Sequence, residues 1–211
     1  VFFFKAIKVS NVSITLSILS LGAFITSFLE PILYNRKIIL YEVFLGFLVV
    51  IGTAIIFKTQ FHYLEGIIYA FISVILSVFF TLFNGKLVGK ISSFTISLYE
   101  LIGGFITVSL LLIISDDLNT NLFYLKSGDV LWLFILGTVC TAYAFVISVD
   151  VMKHLSPFSI MLSINMEPIY GIVLAIIFLN ESENMSYEFY IGFLLIFFSV
   201  ILNGILKHKQ K

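Results

Sequence analysis

The sequence predicts an all-α membrane protein, an inverted-repeat helical bundle in which seven transmembrane helices are present. Three observations predict this fold class: an apolar composition, seven long apolar stretches and an internal repeat. Hydrophobic residues make up 60% of the 211 residues and charged residues only 11%, whereas a soluble domain is roughly half apolar and a quarter charged. A surface this apolar is stable in a bilayer and would be left uncovered in water.

Seven stretches of the chain are long and apolar enough to cross a hydrocarbon core of roughly 30 Å. Runs of this length without strict alternation of polar and apolar residues favour helices over the short strands of a membrane barrel. The stretches cover residues 9–29, 38–57, 66–84, 94–114, 130–149, 157–179 and 187–206.

The positive charges fall unequally on the two sides that these spans define. One side carries four of them, Lys5, Lys8, Lys58 and Lys126, and the other carries eight: Arg36, Lys37, Lys86, Lys90, Lys153, Lys207, Lys209 and Lys211. Cytoplasmic loops of membrane proteins carry the excess of Lys and Arg. We therefore expect the second side, and the C-terminus with it, to be cytoplasmic in a bacterial cytoplasmic (inner) membrane.

An internal repeat relates the two ends of the chain. Shifting the sequence by 146 residues aligns 4–56 with 150–202 without a gap, and 13 of the 53 pairs are identical, against roughly a tenth expected by chance from this composition. Four spans lie between the helix that follows Ser10 and its copy after Ser156, so the two copies enter the membrane from opposite faces. Inverted repeats of this kind recur in secondary transporters.

The repeat also predicts how the chain divides. Residues 65–206 hold five spans and form a complete second copy, whereas residues 1–57 hold only the last part of a first copy. The apolar start, Val1-Phe2-Phe3-Phe4, lacks the charged beginning of a signal peptide. We expect an N-terminally truncated chain, with about three further helices giving a total of ten.

Short motifs near the end of each copy carry a family resemblance. In the second copy these are Leu155-Ser156-Pro157, the run from Asn165 to Gly171, the run from Phe178 to Glu181, and Gly192. Together with Cys140 to Phe145 they resemble the EamA-type domain of the drug/metabolite transporter family. The first copy departs from the pattern, since Gly22 stands where the second copy has Pro168 and Asn35 where it has Glu181.

The resemblance implies ten helices with both ends in the cytoplasm and a central cavity. It further implies export or exchange of small metabolites or amphipathic compounds, driven by protons or another gradient, without identifying the substrate. Residues 1–57 would then be the end of a first EamA-type repeat and residues 65–206 a complete second one.

Glu167 is the first candidate for a substrate-binding or proton-binding residue. It lies near the middle of its span, where an ionised side chain costs roughly 2.5–3.5 kcal/mol and must therefore face protein or water. Pro168 follows it and removes a backbone donor, which predicts a helix break beside the carboxylate. The alternative is a packed kink in which Glu167 never titrates.

Glu100 is the second acid predicted to lie within a span. It stands about two turns into its helix and ahead of Gly103-Gly104, where a partner helix can approach closely. It could bind a proton or cation in the cavity, or reach the interface by extending along its helix.

Polar residues at helical spacing are further candidates for a substrate path. Ser156, Ser159 and Ser163 share one helix face, and Ser10, Ser13 and Ser17 repeat the pattern. Close helix packing explains such stripes equally well. The binding residues selected on these grounds are Ser163, Asn165, Tyr170, Tyr143 and Ser17.

The remaining features exclude several other classes of protein. Zero net charge gives no basic surface for nucleic acid, and no phosphate loop, zinc spacing or nucleophile elbow is present. We expect no cofactor, no metal site and no enzymatic activity; the partners are the bilayer, a small-molecule substrate and, as an open alternative, a second copy in a homodimer. The rival hypothesis is a non-transporting membrane scaffold or an intramembrane enzyme.

Overall fold

The computed structural model describes residues 1–10, 12–57, 64–115, 127–167, 170 and 187–209, and every regular element in these ranges is helical. In chain order the helices are α1 (Phe2–Val9), α2 (Val12–Leu19), α3 (Leu21–Tyr34), α4 (Leu40–Phe57), α5 (Leu64–Leu87), α6 (Ser93–Ile114), α7 (Ser127–Ile135), a π-helix (Leu136–Tyr143), α8 (Ala144–Val151), α9 (Pro157–Ile164) and α10 (Tyr187–Lys209).

The end of α3 lies beyond the end of the first predicted span. That span was placed at 9–29, but α3 continues to Tyr34 and stops at Asn35, whose φ of 51° is left-handed. Asparagine tolerates this conformation better than most residues and so ends helices. Glu30 lies within α3, where its carboxylate pairs with Arg36 at 3.0 Å.

Among the described residues, four helical segments are long and apolar enough to cross a membrane, as judged by length and composition: Leu64–Leu87, Ser93–Ile114, Gly128–Val151 and Tyr190–His208. Two shorter apolar helices, Leu21–Tyr34 and Leu40–Ile55, accompany them. Much of the predicted span 157–179 lies outside the described residues, so the count of seven stays a prediction.

The described helices form two compact units. The first comprises Val1–Phe83 and Ser156–Lys211, and the second comprises Asn84–Leu155. The core of the first unit is apolar and includes Leu45, Val78, Phe158, Leu162 and Ile196. Between helices in a bilayer such contacts act by close packing rather than by exclusion of water.

Close approach of α4 to its neighbours depends on two glycines. A Cβ at Gly46 would lie 2.9 Å from Cα of Phe24 in α3, and a Cβ at Gly52 would lie 3.0 Å from the carbonyl oxygen of Gly192 in α10. Small residues let helix backbones meet in this way. At the other end of α4, Glu42 faces Lys207, so α4 and α10 run antiparallel.

The second unit contains α6, α7, the π-helix and α8. Ser92 begins α6 as its N-cap, accepting a hydrogen bond from the backbone N–H of Thr95 at 3.2 Å. The Ser93 hydroxyl donates to Asp150 of α8 at 2.6 Å. The π-helix widens the middle of the segment that α7 and α8 otherwise continue, and such widenings are frequent at functional sites.

Candidate functional site

The serine stripe of the second copy begins at the start of α9. Ser156 is the N-cap and accepts from the backbone N–H of Ser159 at 3.3 Å, while Pro157 occupies the first turn, where its missing N–H costs nothing. One turn further, the hydroxyl of Ser163 donates to the carbonyl oxygen of Ser159 at 2.9 Å. The hydroxyl of Ser163, a predicted binding residue, therefore donates its hydrogen bond within its own helix.

The end of α9 lies three residues before Glu167. After Ile164 the backbone N–H of Met166 donates to the carbonyl oxygen of Ser163. This hydrogen bond spans three residues, one fewer than the hydrogen bonds of an α-helix. The buried side chain of Asn165 donates to the carbonyl oxygen of Met161 at 2.9 Å. The amide of Asn165 thereby satisfies one of the carbonyl groups that a helix end leaves unpaired.

Glu167 and Tyr170 follow this helix end. Both side chains are exposed, and the backbone N–H of Tyr170 bonds to the carbonyl oxygen of Met166 at 3.1 Å. Pro168, the predicted helix break, and the side chain of Ser17 lie outside what the structure describes. In the described chain, a two-residue turn at 165–166 therefore separates the end of α9 from Glu167, which is itself helical, as is Tyr170.

The other two predicted residues belong to the second unit. Glu100 is half-buried in α6, and its Oε2 accepts a hydrogen bond from Nδ2 of Asn84 at 3.3 Å. Tyr143 ends the π-helix and is 64% exposed. The structure thus gives Glu100 a neutral hydrogen-bond donor as a partner, which the sequence did not predict.

A cluster of four charged residues in the first unit was missed by the sequence analysis. This charge cluster consists of Glu30 in α3, Arg36 in the loop after α3, Glu42 in α4 and Lys207 in α10. Nη2 of Arg36 lies 3.0 Å from Oε1 of Glu30 and 2.6 Å from Oε2 of Glu42, and Nζ of Lys207 lies 3.9 Å from Oε1 of Glu42. The backbone N–H of Phe158 donates to Oε2 of Glu30 at 2.8 Å.

The charge cluster extends into the serine stripe through Lys207. Its Nζ donates to the hydroxyl of Ser159 at 2.8 Å and also to the hydroxyl of Ser156. Asn203, one turn earlier in α10, donates to the same Ser159 hydroxyl at 2.8 Å. Within the first unit, Ser156 and Ser159 therefore both contact the Lys207 cation, and Ser159 also contacts the Asn203 amide.

Burial makes the pairing of these charges essential. The side chains of Glu30 and Glu42 are only 4% and 1% exposed. Burial by itself would lower the pKa of Arg36, but hydrogen bonds and charge attraction to Glu42 and Glu30 outweigh it and raise that pKa above its usual value. Arg36 therefore keeps its charge at every physiological pH.

A signal for the charge cluster was present in the sequence. Arg36 is the only arginine of the chain and follows Glu30 by six residues, across the Asn35 turn, while Glu42 opens an otherwise apolar helix. Arginine is the residue best suited to bridge two carboxylates, because its fork offers several donors. Lys207, 165 residues after Glu42, could not have been paired with it by spacing.

Comparison with known proteins supports one family. Residues 64–205 match the model of the EamA-like transporter family, a domain of the drug/metabolite transporter superfamily. The searches of curated proteins and of solved structures return no match. The matched range covers about two thirds of the chain and includes the apolar helices α5, α6 and most of α10. The chain is a helical membrane protein that belongs to the EamA-like transporter family.

Proposed function

We propose that this protein is a secondary transporter that exports or exchanges small metabolites or amphipathic compounds by alternating access, coupled to protons. The observation that carries the proposal is the end of α9 at Ile164, followed by the exposed carboxylate of Glu167 inside a predicted span. Residues 165–166 form a turn and Glu167 is helical again, and helices interrupted within the membrane beside a polar group are a common way for transporters to build a substrate site.

The described helix directions support the inverted repeat on which alternating access depends. The helices α4 and α10 occupy corresponding positions in the two copies, and their contacts at Gly52 and Glu42 make them antiparallel. The match over residues 64–205 likewise supports a complete second repeat at 65–206. Two copies of opposite orientation can exchange conformations and open one site to each side in turn.

In this mechanism Glu167 takes up a proton from one side and releases it to the other. Glu100, bonded to Asn84, is the second acid of the proposed pathway, and Ser163, Asn165, Tyr170, Tyr143 and Ser17 line it. We place the protein in a bacterial cytoplasmic membrane with a cytoplasmic C-terminus, because eight of its twelve cationic residues fall on that side.

Glu167→Gln tests the proton coupling. Glutamine keeps the shape of a protonated carboxylic acid but cannot release a proton, so gradient-driven accumulation should stop while exchange of substrate for substrate continues. The measurement is movement of ethidium and of radiolabelled amino acids in proteoliposomes, with and without a pH gradient, alongside a pH-sensitive dye trapped inside.

Glu65→Gln is the matched control, since Glu65 is an exposed acid in the first turn of α5 and should transport normally. Unchanged gradient dependence in Glu167→Gln would remove that residue from the mechanism and leave Glu100 as the next acid to test. If the wild-type protein moves none of the probes under either condition, the result would favour a scaffold over a proton-driven transporter.

A further inference from the structure

The charge cluster joins four helices of the first unit at one end. Glu30 contributes from α3, Glu42 from α4 and Lys207 from α10, and Arg36 in the intervening loop contacts both carboxylates. Glu30 and Lys207 also contact the first turn of α9, through the backbone of Phe158 and the N-cap serine. Separating any one of these helices at this end would break at least one ion pair or one hydrogen bond to a charged group.

A buried ion pair is a poor source of net stability, because the desolvation of both charges offsets most of their attraction. Such pairs are better suited to selecting one of two arrangements. The charge cluster is also incompletely satisfied within the described chain: Nε and Nη1 of Arg36, Oε1 of Glu42 and Oδ1 of Asn203 are buried without a hydrogen-bond partner. An opened end, reached by water, would satisfy these atoms.

The charge cluster has no equivalent in the second copy of the internal repeat. At the 146-residue offset Glu30 corresponds to Ile176 and Arg36 to Ser182, and Glu42 alone has a charged counterpart, Glu188. The second copy therefore lacks the arginine and the first acid that the charge cluster needs. If the copies are inverted, the opposite end of the bundle must be closed by other means.

We infer that the charge cluster is an ionic latch that holds this end of the helical bundle closed and separates when the end opens during the transport cycle. The end is the one that the Lys and Arg count predicts to be cytoplasmic. The role within a transport cycle rests on the proposed function, whereas the latch itself can be tested without a substrate.

The test measures whether water reaches a buried position behind the latch. Ser27 is fully buried in α3, one turn before Glu30, and Ser27→Cys introduces a thiol of similar size. Cys140→Ser removes the chain's only other cysteine. In this background, labelling of the new thiol by a membrane-impermeant maleimide should be slow, and Arg36→Gln should accelerate it by about tenfold or more, the size of a typical conformational coupling.

Two variants separate opening of the latch from loss of the fold. Thr53→Cys reports on a buried position near the opposite end of α4 and should remain unlabelled when the latch opens. Arg36→Lys keeps the charge but loses the bridging fork, so it should accelerate labelling of the Ser27 position by less than Arg36→Gln does. Lys37→Gln removes the neighbouring exposed cation and should change neither rate.

The latch is overturned if Arg36→Gln and Arg36→Lys leave labelling of the Ser27 position unchanged. It is equally overturned if both variants raise labelling at Thr53 as much as at Ser27, because that pattern means general unfolding. Selective labelling in a protein that transports nothing would support the latch and count against the proposed function. Transport activity with unchanged labelling would support the proposed function and count against the latch.

Discussion

The two compact units are both built from apolar helices, yet their helices are held together differently. In the first unit the glycines of α4 meet neighbouring backbones, and buried charges connect α3, α4, α9 and α10. In the second unit a Cβ at Gly103, Gly104, Gly128 or Gly137 would meet no atom of the described residues within 4 Å. Two of its aromatic side chains, Phe105 and Trp132, are 74% and 70% exposed.

This difference shows that an apolar sequence can place a helix in the bilayer without identifying the face that packs against other helices. Hydropathy indicates that a segment lies in the bilayer, where an exposed phenylalanine can contact lipid at no cost. It does not indicate which face contacts protein, because lipid tails and leucine side chains are equally apolar. Close contacts at small residues and paired buried charges provide that information, and among the described residues these glycine contacts and buried ion pairs lie in the first unit.

The largest expected difference between the units concerns their acids. Glu30→Ala in the first unit removes a buried partner of Arg36 and the acceptor of the Phe158 N–H, and should cost about 3–5 kcal/mol of stability. Asp150→Ala in the second unit removes a surface partner of Lys153 and the acceptor of Ser93, and should cost much less. Thermal unfolding in detergent measures both. Equal losses would mean that burial of charge does not distinguish the units.

A smaller difference is expected at the glycines. Gly46→Ala forces a methyl group against the backbone of Phe24, and such overpacking costs about 1–3 kcal/mol. Gly103→Ala enters open space and should be neutral or stabilising by up to about 1 kcal/mol, because alanine is the better helix former. A destabilising Gly103→Ala would reveal a helix contact there that the described residues do not show.

The smallest difference is expected for two hydrogen bonds between helices. Asn203 donates to Ser159 at 2.8 Å, and Asn84 donates to Glu100 at 3.3 Å. Bonds of this kind in membrane proteins average about 0.6 kcal/mol and reach about 1.7 kcal/mol. We expect Asn203→Ala to fall near the upper value and Asn84→Ala near or below the mean, in the same unfolding assay. A larger loss of stability for Asn84→Ala than for Asn203→Ala would indicate that the Asn84–Glu100 hydrogen bond is stronger than its 3.3 Å length suggests.

Particular residues show how far the sequence could lead. The N-cap serine and Pro157 at the start of α9, and the turn at Asn35, are local signals, and the structure has a helix boundary at each. The pairing of Glu30 with α9 was not predictable, because it joins residues 128 positions apart.

The sequence by itself determined the class of protein, the approximate positions of its apolar helices and its family, because these depend on composition, run length and short motifs. Only the tertiary structure decided that Glu42 meets Lys207, that Ser159 accepts from Lys207 and Asn203, and that Glu100 is bonded to Asn84. Hydropathy is a sum over neighbouring residues, whereas each of these contacts depends on how distant helices pack.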